Sequence, residues 1–429
     1  ELAYALLGYV KPYKTRLLQA ALSMTLLAAI RGGIVYILGP VMQGVFVDKD
    51  LSILRLVVIG LPALFVLRMA AEYTNAYLMS WVGQKAVQKI RDDLFTHIHR
   101  LSIEFYWRKR SSDVMSRVIN DLNNVQSTVQ FTPLYGIRDM LTVISCIGVL
   151  FYIHWKFALL SLVLLPATGV ILGALGRKMR RAGADSAAIV GEISHKFQES
   201  LQGMTVVKAF NYEDQAIAKF RVSNDSYFSR MMRYLRATAI SGPIMEFIGS
   251  IIFIAIIYLG GQAILSGTMT TAHFFSFVGG FFTAYMPLKN IANLNSKLQL
   301  GMASWERIYQ ILEEKPTVIV KAATGNIKHL DGRIEFKNVN YKYPSRDTQV
   351  LRTLSFRIEP GEVAAFVGPS GSGKTTIIHL LLRFFDPVSG RIEADGHDLL
   401  DLDTTDLRAH MGLVTQDTIL FDDTVYKNI

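Results

Sequence analysis

Gly368-Pro369-Ser370-Gly371-Ser372-Gly373-Lys374-Thr375 is the stretch on which the reading of this chain turns. It fits G-x-x-x-x-G-K-[ST], a loop whose backbone N–H groups converge on one phosphate. Convergence leaves no room for bulky side chains, hence the glycines and serines. Lys374 has the reach for β and γ phosphates, and the Thr375 hydroxyl suits one Mg²⁺ position. Ser370, Ser372 and Thr376 complete the expected cradle. Upstream, Val363-Ala364-Ala365-Phe366-Val367 is a short apolar run that suits a buried parallel strand. Downstream, Thr375 to Phe385 reads as a helix with an apolar face, which puts the phosphates at its N-terminus. Strand, loop and helix in this order argue against a chance glycine-rich turn. An ATP or GTP site is therefore expected.

The rest of the chain is of another kind. Its 429 residues are enough for two or three domains. Hydrophobic residues make up 51% and the mean hydropathy is +0.28, too apolar for an ordinary soluble enzyme. The long apolar stretches all lie before position 300. Six are long enough for a bilayer, which takes roughly 20 apolar residues each. They run about Leu17–Phe46, Leu51–Val82, Tyr135–Tyr152, Phe157–Leu175, Pro243–Leu265 and Phe274–Leu294. Glu1 to Lys14, rich in Tyr and Leu and ending in cations, fits a helix lying along the membrane face. Nothing there resembles a cleavable leader. The lone cysteine, Cys146, lies inside a span and implies no intrachain disulfide.

The connections alternate in length. Asp48–Asp50, His154–Lys156 and Ser266–Thr271 are tiny, while Gly83–Phe131 and Arg177–Ser241 are long, polar and helical in pattern. The long ones hold the cations, among them Lys85, Arg91, Arg117, Arg181, Lys219 and Arg236. The net charge of +10 thus follows the positive-inside rule better than it fits a nucleic-acid partner. On that bias the long connections and both termini are cytoplasmic. The few turn breakers predict membrane helices that run on into the cytoplasm and reverse near Arg110–Asp113 and Asn211–Asp214. Such tips are placed to touch a nucleotide-binding domain. The expected organisation is an elbow helix over 1–14, a six-helix membrane domain over 15–314, a linker over 315–331 and a nucleotide-binding domain over 332–429. Arg333–Val339 alternates like a strand in that last domain.

Six spans, long cytoplasmic helices and a C-terminal P-loop domain resemble an ABC exporter half-transporter. The likeness covers essentially the whole chain. Tyr343 in Tyr-Lys-Tyr-Pro stands where that family has the aromatic that stacks on adenine. Leu413-Val414-Thr415-Gln416-Asp417 matches its Q-loop, which implies that Gln416, with Thr375, holds Mg²⁺. Phe421 to Val425 and Asn428-Ile429 resemble the segment entering the helical subdomain. The resemblance implies a type IV exporter fold: an all-α membrane domain followed by an α/β P-loop domain. It also implies a homodimer, because each ATP lies between one subunit's P-loop and the other's signature motif. The chain departs from the family in lacking the LSGGQ signature, the Walker B aspartate, the catalytic glutamate and the switch histidine. The expectation is that these lie beyond Ile429 and that the nucleotide domain is truncated, so that this stretch binds nucleotide weakly without hydrolysing it.

Within the family the likeness is greatest to the bacterial lipid A flippases. It rests on Ser80-Trp81-Val82 with Arg91 and Leu94-Phe95, on Ser116-Arg117-Val118 with Asp121, and on Pro287-Leu288-Lys289. It implies an inner-membrane protein whose basic cavity residues hold phosphorylated glucosamines, and the matching positions are Arg68, Arg138 and Lys289. The alternative is a multidrug or peptide exporter of the same architecture; a receptor that only senses nucleotide is a third reading. The residues alone leave the charges open. Arg68 and Glu72, four apart, also suit a pair on one helix face, and Arg138 is near enough to a span end to snorkel. Arg31 has no expected role. The aromatics from Phe274 to Tyr285 suit the lining of a greasy cavity or ordinary helix packing, and packing is the expectation; His379 is read as packing.

Overall fold

The computed structural model of the protein describes residues 2–109, 111–159, 193, 196–318, 329–344, 348–416 and 420–428. The fourth expected span after Leu159, the cations of 177–181, most of the expected linker and Asp417 lie outside them. The described chain divides into two compact units. One comprises Tyr13–Gly83 with Thr128–Gln299, the other Glu1–Pro12, Gln84–Ser127 and Leu300–Ile429.

The first unit is helical. Helix α1 (Leu2–Val10) precedes it, and α2 (Lys14–Met42) runs into a π-turn at Gln43–Val47. Helix α3 (Leu51–Arg100) is 50 residues long. At 1.5 Å per residue that is about 75 Å, against about 30 Å for a bilayer core. The expected extension of a membrane helix is thus present. After α4 (Ile103–Arg108) comes α5 (Asp113–Leu159), interrupted by π-turns at Arg117–Asp121 and Leu134–Arg138. Pro133, which has no N–H to donate, directly precedes the second π-turn. Three helical stretches among the described residues, Leu2–Val47, Leu51–Arg100 and Asp113–Leu159, are long and apolar enough to cross a membrane. Helices α6 (Met204–Ala209), α7 (Glu213–Ala239), α8 (Ser241–Leu265) and α9 (Thr271–Leu312) complete the helical set before the sheet.

Small residues let these helices approach. A Cβ at Gly32 would overlap the Ser145 hydroxyl, and one at Gly39 would overlap the carbonyl of Ala272. The Gly39 N–H donates instead to Ser276 Oγ at 2.7 Å. Asn75 of α3 donates to the Ala20 carbonyl of α2 at 3.0 Å. The aromatics of α9 pack in part: Phe277 and Phe281 are buried with Leu150 and Ile256, while Phe275 and Phe282 are exposed.

The expected reversals are present but differ in build. The first is formed by α4, a few residues earlier than expected, after a turn at Leu101-Ser102. The second breaks between α6 and α7, where Asn211 takes a left-handed φ of 49°. Asparagine tolerates that conformation better than most residues.

In the second unit, β1 (Ile334–Tyr341), β2 (Leu351–Ile358), β3 (Ser389–Ala394) and β4 (His397–Asp398) form one sheet in the order β2-β1-β3-β4. Every pairing is antiparallel, with Phe336 opposite both Phe356 and Ile392. Helix α10 (Lys374–Leu381) lays Ile377 and Leu380 on a core of Phe336, Val339, Tyr341 and Ile392. Each such burial contributes about 1.5–3 kcal/mol. Two arginines finish α10. Arg408 donates to the carbonyls of Leu382 and Arg383, both at 2.9 Å, and buried Arg383 donates to the Leu402 carbonyl at 2.8 Å.

The parallel strand expected at Val363–Val367 is not formed. The segment is extended without ladder bonds, and Val363 and Val367 are 95% and 93% exposed. Only Phe366 reaches the core, against Phe356. A parallel strand needs a neighbouring strand to complete its hydrogen bonds. The described residues offer none here, and Leu413 and Val414 are exposed in the same way.

Candidate functional site

The P-loop is shaped by backbone torsion. Gly371 and Gly373 have φ of +84° and +95°, which bring successive N–H groups round toward one point. At two of its glycines the loop also leaves no room for a side chain. A Cβ on Gly368 would come within 2.8 Å of Ser372 Oγ, and one on Gly373 within 2.8 Å of Leu351 Cδ2. Lys374 Nζ donates to the Gly368 and Pro369 carbonyls, both at 2.8 Å, which holds the ammonium over the loop. The first N–H groups of α10 have no helical partners, so they add donors at the same mouth. A cradle of N–H groups, an ammonium and the exposed Thr375 hydroxyl fit a nucleotide phosphate with its Mg²⁺.

Thr376 and Tyr343 face the other way. Thr376 is buried, and its hydroxyl is 2.8 Å from Tyr343 Oη. The Tyr343 ring lies 5.0 Å from Tyr341, 5.5 Å from Phe385 and 5.7 Å from Trp107. The structure therefore anchors Tyr343 to the P-loop helix and to a ring cluster. Gln416 is exposed. His379 packs, as the sequence suggested: its ring is 5.0 Å from Trp107, and its buried Nδ1 has no partner. Burial holds its pKa below the ordinary histidine value.

Trp107 was missed by the sequence reading, although Phe105-Tyr106-Trp107 is an aromatic run in an otherwise polar connection. Trp107 and Ile103 place α4 on the aromatic end of the P-loop core. Two ion pairs hold the neighbouring segments of this unit. Arg108 pairs with Glu314, and Arg307 pairs with Asp121, its Nε donating at 2.9 Å. Burial alone would raise the Asp121 carboxyl, but the bonds from Arg307 and Ser304 hold it below the usual range. A third carboxylate, Asp395, accepts from the N–H groups of Asp331 and Arg333 at 2.7 and 2.8 Å, fixing the start of β1. No motif marks it; only the Asp-Gly turn signal at Asp395-Gly396 was available.

The membrane unit holds a second polar cluster. Arg68 Nε lies 3.9 Å from Glu72, the pair expected from their spacing. Glu72 is shared, because Arg31 Nη2 of α2 lies 3.5 Å away. Arg138 pairs at 2.8 Å with the fully buried Asp139, which also accepts from Asn290 of α9 at 2.8 Å. Two of the three expected substrate residues, Arg68 and Arg138, are thus each paired with a carboxylate of this unit, and Arg68 shares its carboxylate with Arg31. Lys289 is exposed on α9, and its neighbour Asn290 makes the contact to the cluster.

Comparison with known proteins matches two families along the chain. Residues 19–288 match the ABC transporter transmembrane region, and residues 351–428 match the ABC transporter family. The chain is 32% identical over 424 residues to a protein of Syntrophus aciditrophicus named ATP-dependent lipid A-core flippase, covering 99% of this chain and 70% of that protein. It is 32% identical over 429 residues to a protein of the same name from Desulfotalea psychrophila, covering 100% and 75%. A third of that name, from Thiobacillus denitrificans, is 31% identical over 424 residues, covering 99% and 73%.

Proposed function

The chain belongs to the ABC transporter family, and from that premise we propose that it is the half-transporter of an ATP-driven flippase for phosphorylated lipid of the lipid A type. The observation that carries the substrate class is the cluster of Arg31, Arg68 and Arg138 in the membrane unit, where three guanidiniums share two carboxylates. Placing charge in a membrane costs several kcal/mol, so such a cluster is kept for pairing or for a ligand. A phosphate supplies what the cluster lacks through charge-assisted hydrogen bonds of about 1.5–3 kcal/mol each. A drug exporter needs an aromatic cavity instead; Phe277 and Phe281 are buried in helix packing, whereas Phe275 and Phe282 are exposed.

Bound ATP with Mg²⁺ supplies the phosphoryl-transfer free energy that drives the cycle. On this reading Lys374, the loop N–H groups and Thr375 hold the phosphates, with Gln416 the further metal-facing residue. Tyr343 is the adenine neighbour through the ring cluster that fixes it. Trp107 on α4 gives the nucleotide domain a contact through which it acts on the helices. The working unit is proposed to be a homodimer in the bacterial inner membrane, with the nucleotide domains cytoplasmic.

The test replaces Arg68 and Arg138 together by Ala in the full-length protein and measures ATPase stimulation by lipid A and by a hydrophobic drug. The flippase reading expects lipid A stimulation to fall by about tenfold or more, the loss of one charge-assisted bond or more. Lipid stimulation that survives while drug stimulation is lost would put the multidrug reading in its place.

A further inference from the structure

Arg31 has a role that the sequence motifs do not assign. It sits on α2, where Gly32 allows close approach to α5 at Ser145. Its side chain is 14% exposed, and its buried Nε has no acceptor among the described residues. Its ion-pair partner among the described residues, Glu72, is 44% exposed and lies 3.5 and 3.9 Å from two different guanidiniums. Those distances are too long for good hydrogen bonds to either. Asp139 is unlike it: fully buried, 2.8 Å from Arg138 and 2.8 Å from Asn290, and so committed. The cluster therefore contains one tightly held pair, Arg138 with Asp139, and one loose group in which Arg31 and Arg68 divide a single carboxylate. An excess cation and an unused buried donor remain on the Arg31 side.

We propose that Arg31 is a third cationic arm of the lipid-phosphate site, and that Glu72 is an internal counter-ion which an incoming phosphate displaces from Arg31 and Arg68. This rests on the flippase reading and deepens it. A phosphate carries several acceptor oxygens, enough to take the Arg31 Nε and a guanidinium N–H of Arg68 together, a bidentate match that suits arginine and not lysine. Lys289 has no such place. The α9 residue that meets the cluster is Asn290, and consecutive helix residues diverge by about 100°.

A purely structural network makes a different demand, since removing any member would then only loosen the helices. The experiment uses the full-length protein in nanodiscs, with binding followed by native mass spectrometry. The probes are bis-phosphorylated lipid A and the mono-phosphorylated form with the same acyl chains. Wild type is expected to prefer the bis-phosphorylated form. Arg31→Gln should cut that preference by about tenfold, the worth of one charge-assisted bond, and Arg31→Lys should restore only part of it. Glu72→Gln removes the competing carboxylate and should tighten bis-phosphorylated lipid A. Should Arg31→Gln fail to fold, the sign of the Glu72→Gln change decides alone. A wild-type ratio in Arg31→Gln, or weaker or unchanged binding in Glu72→Gln, overturns the role of Arg31 while leaving the flippase reading intact. Wild type binding neither lipid overturns both.

Discussion

The P-loop and the arginine cluster are two charged sites of this chain, and they are built in opposite ways. The first takes eight consecutive residues, Gly368–Thr375, and its geometry follows from glycine torsion and from the start of α10. Its lysine is satisfied by carbonyls five and six residues away. The second draws on α2, α3, α5 and α9, with partners as far apart in sequence as Asp139 and Asn290. A loop that solves its electrostatics locally can be lost without loss of the fold around it. A cluster whose charges neutralise one another across helices cannot be separated from the packing that assembles it.

The largest effect that tests this contrast is on turnover. Lys374→Ala in the full-length protein should lower ATP turnover about a thousandfold, the upper end for removing one preorganised donor from a reacting phosphate. Stability should change by no more than about 0.5 kcal/mol, since the lost bonds are exposed. A steady-state ATPase assay with a parallel melting curve checks both halves. Turnover near wild type would end the P-loop assignment, and a large drop in melting temperature would end the claim of local construction.

The converse belongs to the membrane cluster. Asp139→Asn keeps the shape but leaves Arg138 without its counter-charge at a fully buried position. Breaking such a pair costs about 3 kcal/mol at the lower end of the usual range. The variant should melt well below wild type in detergent, even in the absence of nucleotide. A melting temperature unchanged within error would mean that Arg138 finds another partner and that the cluster is not structural.

How far the two sites were legible follows from the same difference. Motif spacing marked the P-loop as one stretch, because the loop's partners are its neighbours, although it did not show that Thr376 turns into the core. It also found the Arg68–Glu72 pair, four residues apart on one helix. It missed Arg31 as the second claimant on Glu72, because nothing local to α2 or α3 encodes which faces meet. The long helices were readable from apolar run length and scarce turn breakers. The Val363–Val367 strand was not, since an apolar run specifies a wish to be buried and not the strand that would bury it. Trp107 was missed for a related reason: an aromatic in a polar connection declares a contact without naming its partner.

A smaller effect probes the one place where a long connection and the P-loop core share rings. Trp107 is half-exposed, yet it lies within 5.0 to 5.7 Å of His379, Phe385 and Tyr343. Trp107→Ala should cost about 1–2 kcal/mol, given roughly 0.5–1.5 kcal/mol per aromatic pair beyond area and the incomplete burial. If α4 transmits the nucleotide state, the variant should also lose lipid stimulation of ATPase out of proportion to that cost. Equal losses of basal and stimulated activity would leave α4 as packing only.

The smallest effect is a pH dependence confined to the nucleotide unit. His379 is half-buried, its Nδ1 has no partner, and burial holds its pKa below the ordinary value. In the unfolded chain the same ring titrates near 6.5. Below that value the unfolded state takes up a proton that the folded state still refuses. The ring's contribution to stability is therefore full above about pH 6.5 and lost as pH falls toward the depressed folded value. Melting curves between about pH 7.5 and 5.5 should show a shallow decline in wild type, and His379→Gln should flatten it. Trp107→Ala should flatten it too, because removing that ring lets water reach His379. The membrane cluster as described is made of arginines and carboxylates and contains no histidine. A slope that persists in His379→Gln would assign the sensitivity to other groups and remove this distinction between the two regions.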